Sequence, residues 1–349
     1  MRIAIVGTDL SALDRRGGGL EQVVLRWAGA MAVDHEVVLV SHAPAERPLD
    51  LSGVDGEVVV VGRTADLGSV LRRLDPDVVS LHNRPHWVRH CPDRSRVAVT
   101  FHNYPQAWRV PARSWPATCV AAGGRLALSA VSHALAAAAA TTLGVAPDRV
   151  AVTPPAIDPA FVDPPPRPAT RPRVVLSPNR LLRKKGVLDL LAVARREAFR
   201  DVEFTFADLI SPWPVPTAEH RALRAAIARV SNATLFEPAA TPAALASRYV
   251  ASGAVACAVR EPEGLGLVAL EAQACRAPLV TTDSGGLREA TFSPNRCIPP
   301  HDLDALDGAL AAALSVPSDD EGPRRCVLAR HTPSVAGVLF LRWVAETVR

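Results

Sequence analysis

The sequence predicts an α/β protein built from two doubly wound domains, each with a parallel sheet. Three observations support this class. Short apolar runs alternate with stretches of helical periodicity, most of the runs are apolar at nearly every position, and the alternation restarts after a proline-rich segment. Strands buried on both faces are typical of parallel sheets covered by helices. A length of 349 residues suits two domains of roughly 150 residues each.

In the first half, apolar runs predict seven strands, and helical stretches lie between several of them. The predicted strands are Ile3–Gly7, Val37–Ser41, Val58–Val61, Val78–Leu81, Val97–Phe101, Leu126–Val131 and Val150–Thr153. The predicted helices are Leu20–Val33, Ala65–Leu74 and His133–Leu143. This order is the β–α repeat of a doubly wound fold.

Six prolines fall within residues 158–172 and interrupt the alternation. Proline lacks a backbone N–H and breaks helices and central strands, so this composition predicts a semi-rigid linker. We therefore expect a first domain at 1–158, a linker at 159–172 and a second domain at 173–332. Residues 333–349 would form a final helix.

After the prolines the alternation returns. The predicted strands are Val174–Ser177, Phe204–Ala207, Thr234–Phe236, Ala254–Val259 and Leu279–Thr282. The predicted helices are Val187–Phe199, Ala218–Val230, Pro242–Ala251, Leu267–Arg276, Leu303–Ser315 and the amphipathic Ser334–Val348. Two similar α/β halves predict a ligand in a cleft at the carboxyl ends of both sheets.

Composition excludes several other classes. Charged residues are 21% and the net charge of +4 is spread along the chain, so neither disorder nor a basic nucleic-acid surface is expected. The six cysteines are scattered without a Cys-x-x-Cys pair, which favours free thiols in a reducing cytoplasm. The first apolar run is too short for a signal peptide, and no run is long enough to span a membrane.

The strongest motif follows the predicted strand Ala254–Val259 and opens a helix. It reads Arg-Glu-Pro-Glu-Gly-Leu-Gly-Leu-Val-Ala-Leu-Glu over residues 260–271. Gly264 and Gly266 allow a close backbone approach, and the helix start offers N–H groups to an anion. With Glu263 before this anion site and Glu271 after it, the motif fits a nucleotide-sugar, which has hydroxyls at both ends of a diphosphate. A strand-to-helix turn with a capping glutamate is the alternative.

A basic loop, residues 177–186, follows the first strand of the second domain and contains Arg180, Lys184 and Lys185. Arginine can form forked bonds to phosphate, and lysine supplies a point charge. The chain has 37 arginines and only these two lysines, so a tight phosphate site that rejects arginine would explain their survival. A solvated loop is the simpler alternative.

Three glycines, residues 17–19, precede the first predicted helix and could lie against a ligand, although they do not form a dinucleotide fingerprint. Two histidines, His82 and His102, end predicted strands and would point into the cleft. The spacing of His82, His86 and His90 suggests a metal-binding helix face, but no carboxylate or thiol completes a ligand set. The Asp-x-Asp pairs at 75–77 and 302–304 are better explained as a turn and a helix start, so no metal site is predicted.

Together these motifs resemble the retaining, nucleotide-sugar-dependent glycosyltransferases of family 4, which have the GT-B fold of two Rossmann-like domains. The resemblance covers nearly the whole chain in the right order. Its most specific element is the Glu-x7-Glu motif of Glu263 and Glu271. Supporting elements are the glycine loop, Ser132-His-Ala-Leu135, Ala156-Ile-Asp158, Arg180 with Lys185-Gly186, and Gly285-Gly-Leu-Arg-Glu289.

The resemblance implies that the first domain binds the acceptor and the second binds the nucleotide-sugar. It assigns catalysis to His102, Arg180, Lys185 and Glu263. In the family, the arginine and lysine bind the diphosphate and stabilise the leaving group, and the second glutamate, here Glu271, holds the ribose. The implied donor-binding set is Gly18, Gly19, Arg180, Lys185, Glu263, Gly264, Leu265, Gly266, Leu267 and Glu271. Family members generally need no metal, and the final helix often crosses back to the first domain.

Retention is expected to come from same-face attack guided by the departing diphosphate, because no carboxylate is placed as a covalent nucleophile. Two departures from the family pattern concern the donor: Asn179 replaces the usual glycine before Arg180, and Arg260 and Pro262 occupy a stretch that commonly contains serine. A third is Pro154-Pro155-Ala156, where the family usually has an asparagine-glycine pair. The nucleotide and the sugar are not determined by these residues.

Acceptor-binding residues are expected in loops of the first domain. Aromatic and basic residues are concentrated there, and aromatic rings stack on sugars. The predicted set is His82, Asn83, Arg84, Trp87, Tyr104 and Trp108. A small polar cyclic acceptor, such as an aminocyclitol or a sugar-containing antibiotic of an actinomycete, is one hypothesis for a cytoplasmic enzyme.

Other functions remain open at this point. The same aromatic and arginine residues, extended by Arg109, Arg113 and Trp115, could contact a membrane and serve a lipid acceptor. A sugar-nucleotide epimerase and a non-catalytic nucleotide-sugar sensor are alternatives on the same fold. Interconversion of sugars or binding without turnover would distinguish them from a transferase.

Overall fold

Two compact units make up the chain in a computed structural model. The structure describes residues 1–8, 19–41, 56–61, 66–105, 123–168, 170, 172–209, 216–237, 239, 241–293, 296–315 and 321–347. The first unit comprises Met1–Ala156 together with Pro333–Arg349, and the second comprises Ile157–Thr332. The first unit is therefore discontinuous in sequence.

The first unit contains a parallel sheet of seven strands within the described ranges. These strands are β1 (Arg2–Thr8), β2 (Glu36–Ser41), β3 (Gly56–Val60), β4 (Val78–His82), β5 (Arg96–Phe101), β6 (Leu126–Ala130) and β7 (Val150–Val152). Their order in the sheet is β3-β2-β1-β4-β5-β6-β7, and every neighbouring pair is parallel. The order reverses between β1 and β4, which is where a doubly wound sheet binds its ligand.

Helices of the first unit are α1 (Gly19–Ala32), α2 (Leu67–Leu74), α3 (His133–Leu143) and, after the second unit, α11 (Pro333–Thr347). Ser132 caps α3, because the Ser132 hydroxyl accepts a hydrogen bond from Leu135 N at 3.2 Å. Short 3-10 turns occur at Pro85–His90, Gly123–Arg125 and Pro147–Arg149.

The described part of the second unit contains a parallel sheet of six strands. They are β8 (Val174–Ser177), β9 (Glu203–Ala207), β10 (Ala233–Phe236), β11 (Ala254–Cys257), β12 (Leu279–Thr282) and β13 (Cys297–Ile298), in the order β10-β9-β8-β11-β12-β13. Register pairs such as Val175 with Phe204 and Val255 with Leu279 show the parallel alignment. Here the order reverses between β8 and β11.

Helices of the second unit are α4 (Pro159–Val162), α5 (Val187–Ala194), α6 (Ala218–Ile227), α7 (Pro242–Ala251), α8 (Leu267–Ala274), α9 (Leu303–Ser315) and α10 (Glu321–His331). Buried residues such as Phe204, Leu190 and Leu310 form the apolar core between the sheet and its helices. The predicted α/β class, with doubly wound parallel sheets, is confirmed.

The proline-rich segment is not simply a linker, which corrects the prediction for 159–172. It begins with α4, a short helix that Asp158 caps by accepting a hydrogen bond from Ala160 N at 3.0 Å. Phe161 of α4 is only 1% exposed. The prediction failed because Pro159 occupies the first helical position, where a missing N–H costs nothing. The short β13 and the helix α10 were also missed.

Candidate functional site

The Glu-x7-Glu motif forms a tight turn between β11 and α8. The backbone of Glu263 is held by the loop after β12, since Glu263 N donates to Ser284 O at 3.2 Å and Gly286 N donates to Glu263 O at 2.9 Å. Gly266, at φ 98°, directly precedes α8. A Cβ at Gly266 would lie 2.5 Å from Leu287 Cδ1, so this turn requires glycine.

Lys185 is placed beside this motif by a close approach of two loops. Gly186, at φ 75°, follows Lys185, and a Cβ on this glycine would lie 1.8 Å from the carbonyl oxygen of Ala258. The Lys185 side chain is largely buried and forms an ion pair with Glu263 Oε1. Two residues that are 78 positions apart in sequence are thereby brought together.

The neighbouring cations are also paired with carboxylates. Lys184 Nζ lies 3.7 Å from Glu261 Oε2, with both side chains about half exposed. Arg260 N donates to Lys184 O at 2.9 Å, and Arg260 Nε lies 3.1 Å from Asp189 Oδ2. Arg180 is half-buried in the loop after β8. Lys184, Lys185 and Arg260 therefore lie beside the turn that precedes α8, each paired with a carboxylate.

Glu271 lies in the second turn of α8 and is 8% exposed. Its Oε2 accepts a hydrogen bond from the hydroxyl of Tyr249 at 2.9 Å. Burial, followed by the charge of Glu271, raises the pKa of Tyr249 well above its usual 10. No sequence motif includes Tyr249. The rarity of tyrosine, with only two in the chain, was the one signal that could have drawn attention to it.

Three of the remaining predicted donor residues lie in or next to the same turn. Gly264 and Leu265 are buried in it, and Leu267 begins α8. In the first unit, Gly19 is the exposed first residue of α1. Gly18 lies outside the described residues.

A buried histidine pair lies at the carboxyl ends of β4 and β5 in the first unit. His82 Nδ1 and His102 Nε2 are 3.0 Å apart, and Ser80 Oγ lies 3.2 Å from His82 Nε2. Asn83, in the left-handed region at φ 54°, accepts hydrogen bonds through Oδ1 from His102 N at 2.8 Å and Asn103 N at 3.3 Å. One imidazole must donate to the other, so the two tautomers are linked.

Both imidazoles are neutral around pH 7. Burial lowers the pKa of His82 to about 3. Burial, and then the neighbouring His82, lower the pKa of His102 well below 6.5. His102 is the more accessible of the two, at 8% exposed against 1%. A neutral imidazole can donate to or accept from a hydroxyl without bringing a charge.

Trp27 of α1 covers the histidine pair. Its ring centroid lies 6.0 Å from His82 and 5.5 Å from His102. On its other side it stacks on Phe340 of α11, at 4.6 Å and an interplanar angle of 23°. Neither Trp27 nor Phe340 belongs to a sequence motif.

Three of the predicted acceptor-binding residues are buried, and their contact with an acceptor stays a prediction. His82, Asn83 and Trp87 are 1%, 4% and 5% exposed. Arg84 and Tyr104 are partly exposed and stay in the predicted set. Trp108, like Arg109, Arg113 and Trp115, lies outside the described residues.

The aspartate pairs have structural roles, as expected. Asp77 Oδ2 accepts a hydrogen bond from Arg2 N at 2.8 Å, and Asp302 Oδ1 accepts one from Ala305 N at 2.8 Å near the start of α9. In the part of the chain that the structure describes, no cluster of three or more His, Cys, Asp or Glu residues could hold a metal ion. None of the described helices has the length and apolar character needed to cross a membrane.

Comparison with known families agrees with this geometry. Residues 162–327 match the family described as glycosyl transferases group 1, and residues 17–161 match glycosyltransferase family 4. The two matches meet at the start of the second unit and together span 17–327. Two glycosyltransferase family models thus match most of the chain between them, and the fold is the GT-B fold of glycosyltransferases.

Three individual relatives and solved structures are between 14% and 31% identical to this chain over the aligned residues. The chain is 31% identical over 218 residues to an MMP alpha-(1->4)-mannosyltransferase from Mycolicibacterium hassiacum; this covers 60% of the chain but only 51% of the relative. A glycosyltransferase from Rickettsia africae has a similar fold, with a TM-score of 0.78, 17% identity, and coverage of 100% of this chain and 98% of that one. HepE from Anabaena, solved with UDP and glucose, gives a TM-score of 0.72 and 14% identity, with 99% of both chains covered.

Proposed function

We propose that this protein transfers a sugar, with retention of configuration, from a nucleoside-diphosphate sugar to a small polar acceptor. The observation that carries the proposal is the buried Lys185 paired with Glu263 at the turn into α8. This turn combines a fixed cation with the backbone N–H groups of a helix start, which together suit a diphosphate. The mannosyltransferase relative and the UDP and glucose complex of HepE support a nucleotide-sugar as donor.

In this proposal Arg180 and Lys185 bind the diphosphate and stabilise the charge that builds up as it leaves. The amides of Leu265 and Gly266 add donors from the turn, and Glu271 binds the ribose. Preorganised donors of this kind act most strongly where charge develops in the transition state. The protein's own cations supply the positive charge, so the proposed reaction needs no metal.

Glu263 is proposed to have two roles. It neutralises Lys185 through their ion pair, and its carboxylate is proposed to accept hydrogen bonds from sugar hydroxyls. Attack by the acceptor on the same face as the departing diphosphate would retain the configuration. His102, neutral and at the carboxyl end of β5, is proposed to contact the donor sugar.

The acceptor is proposed to be a small polar ring compound, such as a cyclitol or a sugar, and the enzyme to act in the cytoplasm. The partly exposed Arg84 and Tyr104 support polar and stacking contacts. The enzyme is also proposed to act in natural-product biosynthesis, as expected from the sequence.

A two-step experiment tests the function. Thermal-shift measurements with UDP, GDP, ADP, dTDP and their common sugar conjugates identify the donor, because a ligand that binds the folded state raises the unfolding temperature. The stabilising sugar nucleotide is then incubated with a panel of cyclitols and sugars, and NMR gives the anomeric configuration of the product. Stabilisation without any product or sugar release would refute the transferase, and an inverted product would refute retention.

A further inference from the structure

Glu271 is held by a residue that no sequence motif includes. The hydroxyl of Tyr249 in α7 donates to Glu271 Oε2 at 2.9 Å, across 22 positions of sequence. Tyr249 is 0% exposed, so it does not touch a ligand itself. A buried carboxylate depends on such hydrogen bonds to compensate for its lost hydration.

The donor role of this hydroxyl is fixed by its surroundings. Burial and the charge of Glu271 raise the pKa of Tyr249, so the phenol stays protonated. The thiols of Cys257 and Cys275 also contribute to the raised pKa of Tyr249. Burial raises the pKa of each thiol to about 12. These neighbours are therefore neutral, and the Tyr249 hydroxyl remains a hydrogen-bond donor to the carboxylate.

The Tyr249 ring is itself fixed in place. Phe161 of α4 packs against it edge to face, with centroids 5.8 Å apart and an interplanar angle of 66°. Arg324 of α10 connects α4 to α8, since its guanidinium donates to Val162 O at 2.7 Å and to the carbonyl oxygen of Ala274. The helices that carry Phe161, Tyr249 and Glu271 are thus packed or bonded to one another.

We propose that Tyr249 is a positioning residue that orients the Glu271 carboxylate toward the ribose diol of the donor. This inference rests on the proposed function, which assigns ribose binding to Glu271. Two adjacent hydroxyls are recognised by a carboxylate only when its oxygens face them, and the Tyr249 bond fixes the rotation of the carboxylate plane. Loss of the hydroxyl removes one of the hydrogen bonds that hold the buried Glu271 carboxylate in this orientation.

The quantity to measure is ribose discrimination, which is the affinity for a ribonucleotide relative to its 2′,3′-dideoxy analogue. Calorimetric titration compares the tightest binder among UDP, GDP and ADP with its 2′,3′-dideoxy analogue, first for the wild type and then for Tyr249→Phe. We expect Tyr249→Phe to weaken binding of the ribonucleotide about tenfold, as for losing a hydrogen bond to a charged group. Affinity for the dideoxy analogue should stay close to that of the wild type.

Ser252→Ala is the matched control. Its buried hydroxyl donates to Tyr249 O at 2.8 Å, just after α7, so this variant removes a hydroxyl from the same place without touching Glu271. It should leave ribose discrimination unchanged. An equal loss in Ser252→Ala and Tyr249→Phe would overturn the positioning role, because it would reflect only a weakened helix.

The remaining outcomes separate the two proposals. If the wild type binds none of UDP, GDP, ADP and dTDP, the proposed function fails, whereas binding of dTDP alone would overturn only the positioning role, because deoxyribose lacks the diol. If the wild type binds both analogues equally, or Tyr249→Phe keeps the preference for ribose, nucleotide binding stands and the positioning role fails.

Labelling with 3-fluorotyrosine covers the case in which Tyr249→Phe does not fold. The chain has two tyrosines, so its ¹⁹F spectrum contains two resonances, and Tyr104→Phe assigns them. The Tyr249 resonance should shift with the ribonucleotide and much less with the dideoxy analogue. Equal shifts, or none, would overturn the proposal.

Discussion

At the scale of single residues, the two lysines of the chain differ in their environment. Lys185 is largely buried and paired with Glu263, whereas Lys184 is about half exposed and lies 3.7 Å from Glu261. Neither solvent nor a mobile side chain can take the place of a buried cation. Loss of Lys185 would therefore remove the positive charge that is proposed to stabilise the departing diphosphate. The position, rather than the presence of two lysines, therefore decides their roles.

Substitution of each lysine by alanine tests this difference. Lys185→Ala should lower turnover with the identified donor by a factor on the order of 10², the size found for losing one charge-stabilising donor. Lys184→Ala should change turnover by only a few-fold, because exposed ion pairs contribute little. Steady-state kinetics measures both, and Lys185→Arg adds the steric test. Equal effects at the two positions would contradict the assignment.

The histidine pair makes a second prediction at this scale, concerning pH. The pKa of His82 is about 3 in the folded state, against about 6.5 when unfolded. The unfolded state therefore binds more protons between these values, so the contribution of His82 to stability is complete above pH 6.5 and is lost as the pH falls toward 3.

Denaturant unfolding at several pH values should show the contribution of His82 directly. The slope of unfolding free energy against pH should be smaller in His82→Gln than in the wild type, by at most about 1.4 kcal/mol per pH unit. An unchanged slope in His82→Gln would show that burial does not depress its pKa.

At the scale of elements, the same change in two helices should have opposite effects. A Cβ added to Gly337 of α11 would lie 2.4 Å from Ala30 Cβ of α1, whereas one added to Gly308 of α9 would meet nothing within 4 Å. Alanine favours a helix interior by roughly 0.5–1 kcal/mol over glycine. Gly308→Ala should therefore stabilise, and Gly337→Ala should destabilise by about 1–3 kcal/mol through overpacking. Chemical denaturation decides the sign of each.

The elements also show what a sequence can predict. Strands such as β5 and helices such as α3 were found because their pattern of apolar residues is local. The helix α4 was missed because prolines were taken as breakers, although Asp158 and Pro159 are a favourable helix start. The bond between Tyr249 and Glu271 could not be predicted, because it depends on how α7 and α8 pack.

At the scale of the whole molecule, the first unit is completed by the last helix of the chain. The chain leaves this unit after Ala156 and returns at Pro333, and Ile157 N donates to His331 O at 2.8 Å where the two crossings meet. In α11, Phe340 stacks on Trp27, and Trp27 in turn covers the histidine pair. The first sheet and its histidines therefore depend on residues distant in sequence.

Deletion of residues 333–349 should therefore destabilise α1 and the first sheet, rather than the elements that precede residue 333 in sequence. The stacking surface of Trp27 would be exposed, and burial of an aromatic ring is among the larger contributions to a core. Hydrogen exchange followed by mass spectrometry should show faster exchange in α1 and in the first sheet, with little change in residues 157–332. Phe340→Ala in the full chain should give a weaker form of the same pattern. Faster exchange confined to α10, the element just before the deletion, would contradict the dependence of the first unit on α11.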